Sequence, residues 1–64
     1  MKKVQIVLTQ EQRIDAEHWK FTFRGEERIL PSNHVVYYAR DMEDALNHIY
    51  YNEIESINVS NEKV

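Results

Sequence analysis

Histidine is the residue type in this chain best suited to chemistry, since imidazole binds metals and transfers protons near neutral pH. The chain contains His18, His34 and His48. Zinc requires three or four ligands, and at least two of them are usually close in sequence. Two of the histidines begin predicted strands and the third lies in a predicted helix, so their spacing gives no reason to expect a metal ion or another cofactor. We interpret all three as surface residues.

Other catalytic groups are equally poorly arranged. The chain has no cysteine, and none of its three serines lies in the G-x-S-x-G turn of serine hydrolases. The acid pairs Asp41/Asp44 and Glu53/Glu55 could support proton transfer, but the first pair is better explained by helix capping and the second by solvation. The single glycine cannot form a phosphate-binding loop. We therefore predict that this protein is not an enzyme.

A short basic and aromatic segment raises a different possibility. Its aromatic residues alternate along one predicted strand, as Trp19, Phe21 and Phe23. Its basic residues are Lys20, Arg24 and Arg28. Aromatic rings flanked by cations can stack on the bases of single-stranded nucleic acid; alternatively, the rings pack beneath a helix and the cations are solvated. We favour the second interpretation and keep single-stranded nucleic-acid binding as the alternative function.

Two pairs of adjacent tyrosines, Tyr37-Tyr38 and Tyr50-Tyr51, indicate a contact surface. Neighbouring side chains point to opposite faces of a strand and about 100° apart on a helix, so each pair is expected to place one ring in the core and one outside. Exposed tyrosine is enriched in protein interfaces because it combines a large area with a hydrogen-bonding tip. The predicted partner-binding residues are Tyr37, Tyr51, Lys20, Arg24 and Arg28.

The elements that must position these residues follow from the spacing of apolar side chains. Residues 4–8 alternate to give one apolar and one mixed face, which predicts a strand. Thr9 and Gln12 have the spacing of a capping box, which predicts a single helical turn. Gly25-Glu26 is suited to a two-residue hairpin turn that leads into a short return strand. The predicted strands comprise residues 4–8, 19–24, 27–30, 34–39 and 54–59.

One helix is predicted between the last two strands. Asp41 is suited to its N-cap, and Glu43 and Asp44 place negative charge at the positive end of the helix dipole. The apolar residues that follow have helical spacing and are Met42, Ala45, Leu46, Ile49 and Tyr50. This pattern predicts an amphipathic helix over about 41–52, which Asn52 can end in a left-handed turn.

Together these elements predict one α+β domain spanning residues 1–64, in the order β-β-(β)-β-α-β. The strand in parentheses is the short return strand, residues 27–30. One small, mostly antiparallel sheet of about four strands carries the single amphipathic helix (about 41–52) on one face. Because the helix connects two strands, those two strands are expected to run in the same direction. The other face of the sheet is left open to water or to a partner, and residues 60–64 are expected to form a frayed tail.

The chain is short and mildly acidic, with 64 residues and a formal net charge of −3. This charge argues against nucleic acid as the main partner, since binding to a duplex requires Lys and Arg to neutralise phosphates. No stretch approaches the roughly 20 apolar residues that span a bilayer, and the absence of cysteine fits a reducing compartment, so a cytoplasmic protein without membrane contact is predicted. A domain this small buries only about 60% of its unfolded surface, which slightly favours a homodimer over a monomer.

In general character the chain resembles the small accessory proteins of bacteria and their phages. The shared features are short length, absence of cysteine, mild acidity and a simple plan of one sheet and one helix, and no motif accompanies them. The resemblance implies a non-catalytic, protein-binding function, in which the chain inhibits or redirects one bacterial host protein. It implies no particular functional residue.

Overall fold

Five strands and one short helix make up the described part of the chain, residues 1–61 of a computed structural model. The strands are β1 (Lys2–Leu8), β2 (Trp19–Phe23), β3 (Glu26–Leu30), β4 (His34–Ala39) and β5 (Ile54–Asn61). The helix α1 (Met42–Leu46) follows β4, and 3-10 turns occupy Gln10–Gln12 and Tyr51–Glu53. The strand-rich architecture with one helix agrees with the predicted α+β class.

The strands form two antiparallel sheets with five strands in total, so the prediction of one sheet of about four strands is only roughly matched. One sheet has the order β4-β1-β5, and the other is the β2–β3 hairpin. Both β4 and β5 run antiparallel to β1. They therefore run in the same direction, as expected for strands joined by a helix, but β1 separates them. Within residues 1–61, no strand pairing joins the hairpin to the three-stranded sheet.

The helix α1 covers five residues instead of the predicted 41–52. Its N-terminus is as predicted, because the carboxylate of Asp41 accepts a hydrogen bond from the N–H of Asp44 at 2.9 Å. Beyond α1, the carbonyl of His48 accepts from the N–H of Arg24 at 2.9 Å rather than from a later helical N–H. The Ile-Tyr-Tyr-Asn sequence that follows has weak helix propensity. A long-range bond and weak local propensity thus end the helix early.

The β2–β3 hairpin turns one residue earlier than predicted. Phe23 pairs with Glu26, which leaves Arg24 and Gly25 as the two turn residues instead of the expected Gly25-Glu26. Both have positive φ, 53° for Arg24 and 80° for Gly25. Two positive φ values are the signature of a type I′ turn, whose twist matches that of the strands it joins. Glycine therefore occupies the second central position rather than the first.

The core lies between one face of the three-stranded sheet and a layer formed by the hairpin and α1. Its buried apolar residues are Val4, Ile6, Leu8, Phe21, Ala39, Ala45 and Ile49. Trp19 and Phe23 are half-buried and pack against this cluster. Phe21 is therefore in the core as predicted, whereas Trp19 and Phe23 lie at its margin. The opposite face of the sheet carries the exposed residues of β4 and is open, as expected.

The last described residues belong to β5 rather than to a frayed tail. Ser60 pairs with Lys3 and Asn61 with Lys2, so the sheet continues two residues beyond the predicted end of the strand at residue 59. The remainder of the predicted tail, residues 62–64, lies outside the described residues.

Candidate protein-binding surface

The outer edge of β2 is closed by groups that do not belong to a strand. Phe23 pairs with Glu26 across the two-residue turn, so the backbone groups of Lys20, Thr22 and Arg24 point away from β3. At each of these three positions an outward backbone group has a hydrogen-bond partner from elsewhere in the chain. An edge closed in this way does not offer a template for another strand.

Two of these partners lie in the segment between α1 and β5. The N–H of Thr22 donates to Glu53 Oε2 at 2.8 Å, and its hydroxyl donates to Glu53 Oε1 at 2.7 Å. The N–H of Arg24 donates to the carbonyl of His48 at 2.9 Å. Residues 48–53 are therefore tied to β2 at both ends. Glu53 is only 8% exposed, so the interpretation of this acid as solvated is wrong.

The third partner is Gln12, in the first 3-10 turn. Its Nε2 donates to the carbonyl of Lys20 at 2.7 Å. The predicted turn is present at this place, but the capping box is not, because Thr9 makes no side-chain cap bond and the amide of Gln12 reaches β2 instead. Gln12 is 9% exposed, which makes it, like Glu53, a buried polar side chain with a structural hydrogen bond.

The segment held between its two anchors carries Tyr50 and Tyr51 on the surface. Tyr50 is 53% and Tyr51 66% exposed. The exposure of Tyr51 agrees with the prediction, whereas Tyr50 was expected to face the core and does not, because the helix ends before it. The neighbouring Arg24 is exposed, and its guanidinium lies 5.2 Å from the ring centroid of Phe23. We call Arg24, Tyr50 and Tyr51 the Tyr–Arg patch.

Tyr37 does not have the exposure that the sequence suggested. Its hydroxyl donates to the carbonyl of Ala45 at 2.8 Å, and its ring lies edge-on to Phe23 with 5.0 Å between centroids. Tyr37 shares a face of β4 with the buried Ala39, because alternate residues of a strand point the same way. Tyr38 points to the other face and is 42% exposed. The two tyrosines of this pair have thus exchanged their expected positions.

The electrostatic surroundings of Tyr37 fit a structural phenol. Burial, with a smaller contribution from the nearby charge of Asp44, raises the pKa of Tyr37 to about 12. The pKa of Asp44 is lowered, mainly because the backbone N–H of Arg40 donates to its carboxylate at 3.0 Å and because the guanidinium of Arg40 is close. Tyr37 therefore stays neutral at physiological pH and serves the fold as a hydrogen-bond donor.

Lys20 and Arg28 do not join Arg24 in a basic stripe. Lys20 Nζ lies 3.8 Å from a carboxylate oxygen of Glu27, and the guanidinium of Arg28 lies 3.4 Å from one of Glu26. Arg28 pairs with Phe21 and shares its face of the hairpin, whereas Lys20 is on the opposite face. Lys20 and Arg28 therefore do not lie on one face of the hairpin.

The histidines lie in separate local contacts. His18 Nδ1 is 2.9 Å from Asp15 Oδ1. The pKa of Asp15 is lowered mainly by a hydrogen bond from the backbone N–H of Glu17 and to a smaller extent by His18. His48 Nε2 is 3.5 Å from Asp44 Oδ1, and His34 is exposed. Among residues 1–61, no three histidine or acidic side chains are grouped so that they could hold a metal ion.

The residues that the sequence did not reveal are Gln12 and Glu53. Each is polar, and nothing in its neighbourhood along the chain distinguishes it from a solvated side chain. The partner of Glu53 is 31 positions away, at Thr22. A contact over that distance depends on how the hairpin packs against the chain after α1, and no local pattern predicts it.

Comparison of this chain with known proteins gives no further information. No protein-family model matches it, and neither a curated protein nor a solved structure does. In the part of the chain that the structure describes, no helix has the length and apolar character needed to cross a membrane.

Proposed function

We propose that this chain is a non-catalytic protein-binding module that contacts its partner through the Tyr–Arg patch. The observation that carries the proposal is the exposure of Tyr50 and Tyr51 on a segment that hydrogen bonds from Glu53 and His48 hold against β2. Tyrosine and arginine are enriched at the interface positions that contribute most to affinity. Each combines a large contact area with the capacity to form hydrogen bonds.

The fixed backbone of the patch supports this function. Association is opposed by the loss of freedom in side chains and loops that must become ordered. Here Glu53 and His48 already hold the chain on both sides of the two tyrosines. The guanidinium of Arg24 lies 5.2 Å from the ring centroid of Phe23, within the range of a cation–π contact. A partner therefore meets a surface whose backbone needs little further ordering.

We further propose that the partner is a bacterial host protein, and that the chain is a phage- or prophage-type accessory protein that inhibits or redirects it in the cytoplasm. This assignment is supported by the short length of 64 residues, the absence of cysteine and the net charge of −3, which are features of such accessory proteins. The nucleic-acid alternative has less support, because Lys20 and Arg28 each lie beside a glutamate.

The proposal is tested by capture from a bacterial lysate. Immobilised protein is compared with its Tyr51→Ala variant at equal density, and the captured proteins are quantified by mass spectrometry. We expect one stoichiometric partner, whose recovery falls about tenfold or more in the variant, as for a residue that dominates an interface. Circular dichroism of both proteins shows whether the variant is folded.

Ile14→Ala is the matched control. Ile14 is 50% exposed, close to the value for Tyr50, and lies in the loop before β2. This variant should recover the partner as well as the unmodified protein does. The proposal is wrong if no stoichiometric partner is captured, or if Tyr51→Ala and Ile14→Ala recover it equally.

A further inference from the structure

The outer edge of β4 differs from that of β2, because its central backbone groups have no hydrogen-bond partner within the described chain. The N–H of Leu8 donates to the carbonyl of Asn33 at 2.8 Å, which sets the alternation of bonds between β1 and β4. By this alternation the odd-numbered residues of β4 bond to β1. The N–H and carbonyl groups of Val36 and Tyr38 therefore point away from the sheet.

The two ends of this edge are closed by side chains. The N–H of His34 donates to Ser32 Oγ at 3.1 Å, and the N–H of Arg40 donates to Asp44 Oδ2 at 3.0 Å. Between these two closed N–H groups, the backbone donors and acceptors of Val36 and Tyr38 are free within the described chain. We call this stretch, residues 36–38, the β4 window.

The side chains of the β4 window add an apolar surface to this edge. Val36 is 51% and Tyr38 42% exposed. Proteins usually protect an edge strand with lysine, proline or a bulge. β4 contains neither lysine nor proline, and the register irregularity of its sheet lies between β1 and β5. The β4 window is therefore competent to pair with another strand.

We propose that the β4 window is a homodimer interface, in which the β4 strands of two copies pair antiparallel across a two-fold axis. The β4 window is self-complementary: when Val36 faces Tyr38 of the second copy, each residue exchanges its N–H and carbonyl with the other. Each contact then joins a β-branched side chain to an aromatic ring, which is a favourable cross-strand pair. A longer foreign strand would find the N–H groups of His34 and Arg40 already bonded within the chain.

The distribution of charge selects β4 over the other edges for a second copy. Each copy has a net charge of −3, so two copies repel each other unless they meet at a neutral surface. Within the β4 window there is no charged side chain. β3 carries Glu-Glu-Arg at residues 26–28, and an antiparallel copy would bring like charges together. β5 has Glu55 at its edge, and the residues on its outer face are polar.

The first test measures the mass of the protein in solution by sedimentation equilibrium. We expect twice the 7.7 kDa of one chain. Val36→Lys should raise the dimer dissociation constant at least about tenfold, since lysine on an edge strand blocks pairing. Ile29→Lys on β3 and Asn58→Lys on β5 are the matched controls, because both replace an exposed residue with the same charge, and they should leave the constant unchanged.

The second test uses the unmodified protein, so it does not depend on whether a variant folds. Amide hydrogen exchange of Val36 and Tyr38, followed by NMR, should slow about tenfold or more as the protein concentration rises into the dimeric range. The proposal is overturned if the protein has the mass of one chain at millimolar concentration, or if these two amides exchange equally fast at every concentration. It is also overturned if Ile29→Lys or Asn58→Lys dissociates the dimer while Val36→Lys does not. These readouts are independent of Tyr51, so they do not depend on the partner capture proposed above.

Discussion

β2 and β4 each have an outer edge with which no strand in residues 1–61 pairs, but the hydrogen-bond partners at the two edges differ. At β2, the outward backbone groups meet the carboxamide of Gln12, the carboxylate of Glu53 and the carbonyl of His48. At β4, Ser32 and Asp44 satisfy only the two ends, and the β4 window stays open. The β2 edge is therefore part of the folded chain, whereas the β4 window is the surface that we propose for contact with a second copy.

The difference has an energetic consequence. Burial of a carboxylate is unfavourable unless hydrogen bonds replace those it made with water. Glu53 is buried and accepts two hydrogen bonds from Thr22, so removal of the carboxylate leaves two donors without a partner. The open groups of β4 are in contact with water and do not carry this penalty. Substitutions at the β2 edge should therefore reduce stability far more than substitutions in the β4 window.

The largest effect is expected for Glu53→Ala. The variant should lose about 3 kcal/mol of the free energy of unfolding, because two hydrogen bonds to a charged group are lost and the N–H of Thr22 remains without an acceptor. Urea unfolding followed by circular dichroism measures the change. Since the Tyr–Arg patch lies next to Glu53, Tyr50 and Tyr51 should also become more mobile, which NMR relaxation of their amides can show.

Glu55→Ala is the control for this prediction. Glu55 has the same side chain and the same charge, lies two residues away and is exposed. Its replacement should change the free energy of unfolding by less than about 0.5 kcal/mol. Equal losses in the two variants would mean that Glu53 contributes through its charge alone, and the proposed role of the β2 edge would fail.

Gln12→Ala should have the next largest effect. It removes the hydrogen bond to the carbonyl of Lys20 and leaves a gap where the buried side chain lay, with an expected loss of about 1.5 kcal/mol. The measurement is again the free energy of unfolding in urea. Gln10→Ala, at an exposed position in the same 3-10 turn, is the control and should be close to neutral. If the two variants are equally stable, the bond to Lys20 does not stabilise the fold.

Tyr37→Phe tests the contact between the inner face of β4 and α1, instead of a contact at the edge of the strand. Loss of the hydrogen bond to Ala45 should reduce the free energy of unfolding by about 1 kcal/mol at neutral pH. Because the pKa of Tyr37 is raised from 10.0 to about 12, the contribution of the neutral phenol is complete below pH 10 and is lost as the pH rises through 12. The difference in stability between wild type and variant should therefore shrink over that range.

The comparison for this pH dependence is Tyr38→Phe. Tyr38 is 42% exposed on the other face of β4, so the loss of its hydroxyl removes no described hydrogen bond. The free energy of unfolding of the Tyr38→Phe variant should therefore follow that of the wild type from pH 8 to pH 12. A gap between wild type and Tyr37→Phe that stays constant up to pH 12 would show that the phenol of Tyr37 does not stabilise the fold through its protonated form.

The two edges also show what the sequence can and cannot predict. The alternation of apolar and polar residues predicted β1 and the aromatic face of β2. It could do so because a strand with one buried face leaves this pattern in consecutive residues. Asp41 predicted the start of the helix because capping is local. The end of the helix was wrong because it depends on the bond between His48 and Arg24, which are distant in sequence. The division of the strands into two sheets was also missed, because strand order depends on contacts between distant parts of the chain.

The candidate site was predictable to the same limited extent. The exposure of Arg24 and Tyr51 follows from their place in a turn and beyond a helix, but the bond that ties Arg24 to His48 depends on the packing of the hairpin. The orientation of Tyr37 depends on register. Tyr37 pairs with the buried Val4, and an adjacent pair of tyrosines carries no information on which member faces inward. The presence of tyrosine and arginine thus predicted a protein-binding surface, whereas tertiary contacts determined which of these residues are exposed on it.

The smallest effect is expected for Val36→Thr, in the β4 window. Threonine has a shape and strand propensity similar to those of valine, and Val36 is half exposed, so the free energy of unfolding in dilute protein should change by less than about 0.5 kcal/mol. The same replacement removes an apolar methyl group from the proposed dimer contact, so self-association should weaken while the monomer stays stable. Urea unfolding at low concentration and sedimentation at high concentration separate the two effects. A loss above 1 kcal/mol in dilute protein would show that the β4 edge, like the β2 edge, is part of the fold of one chain.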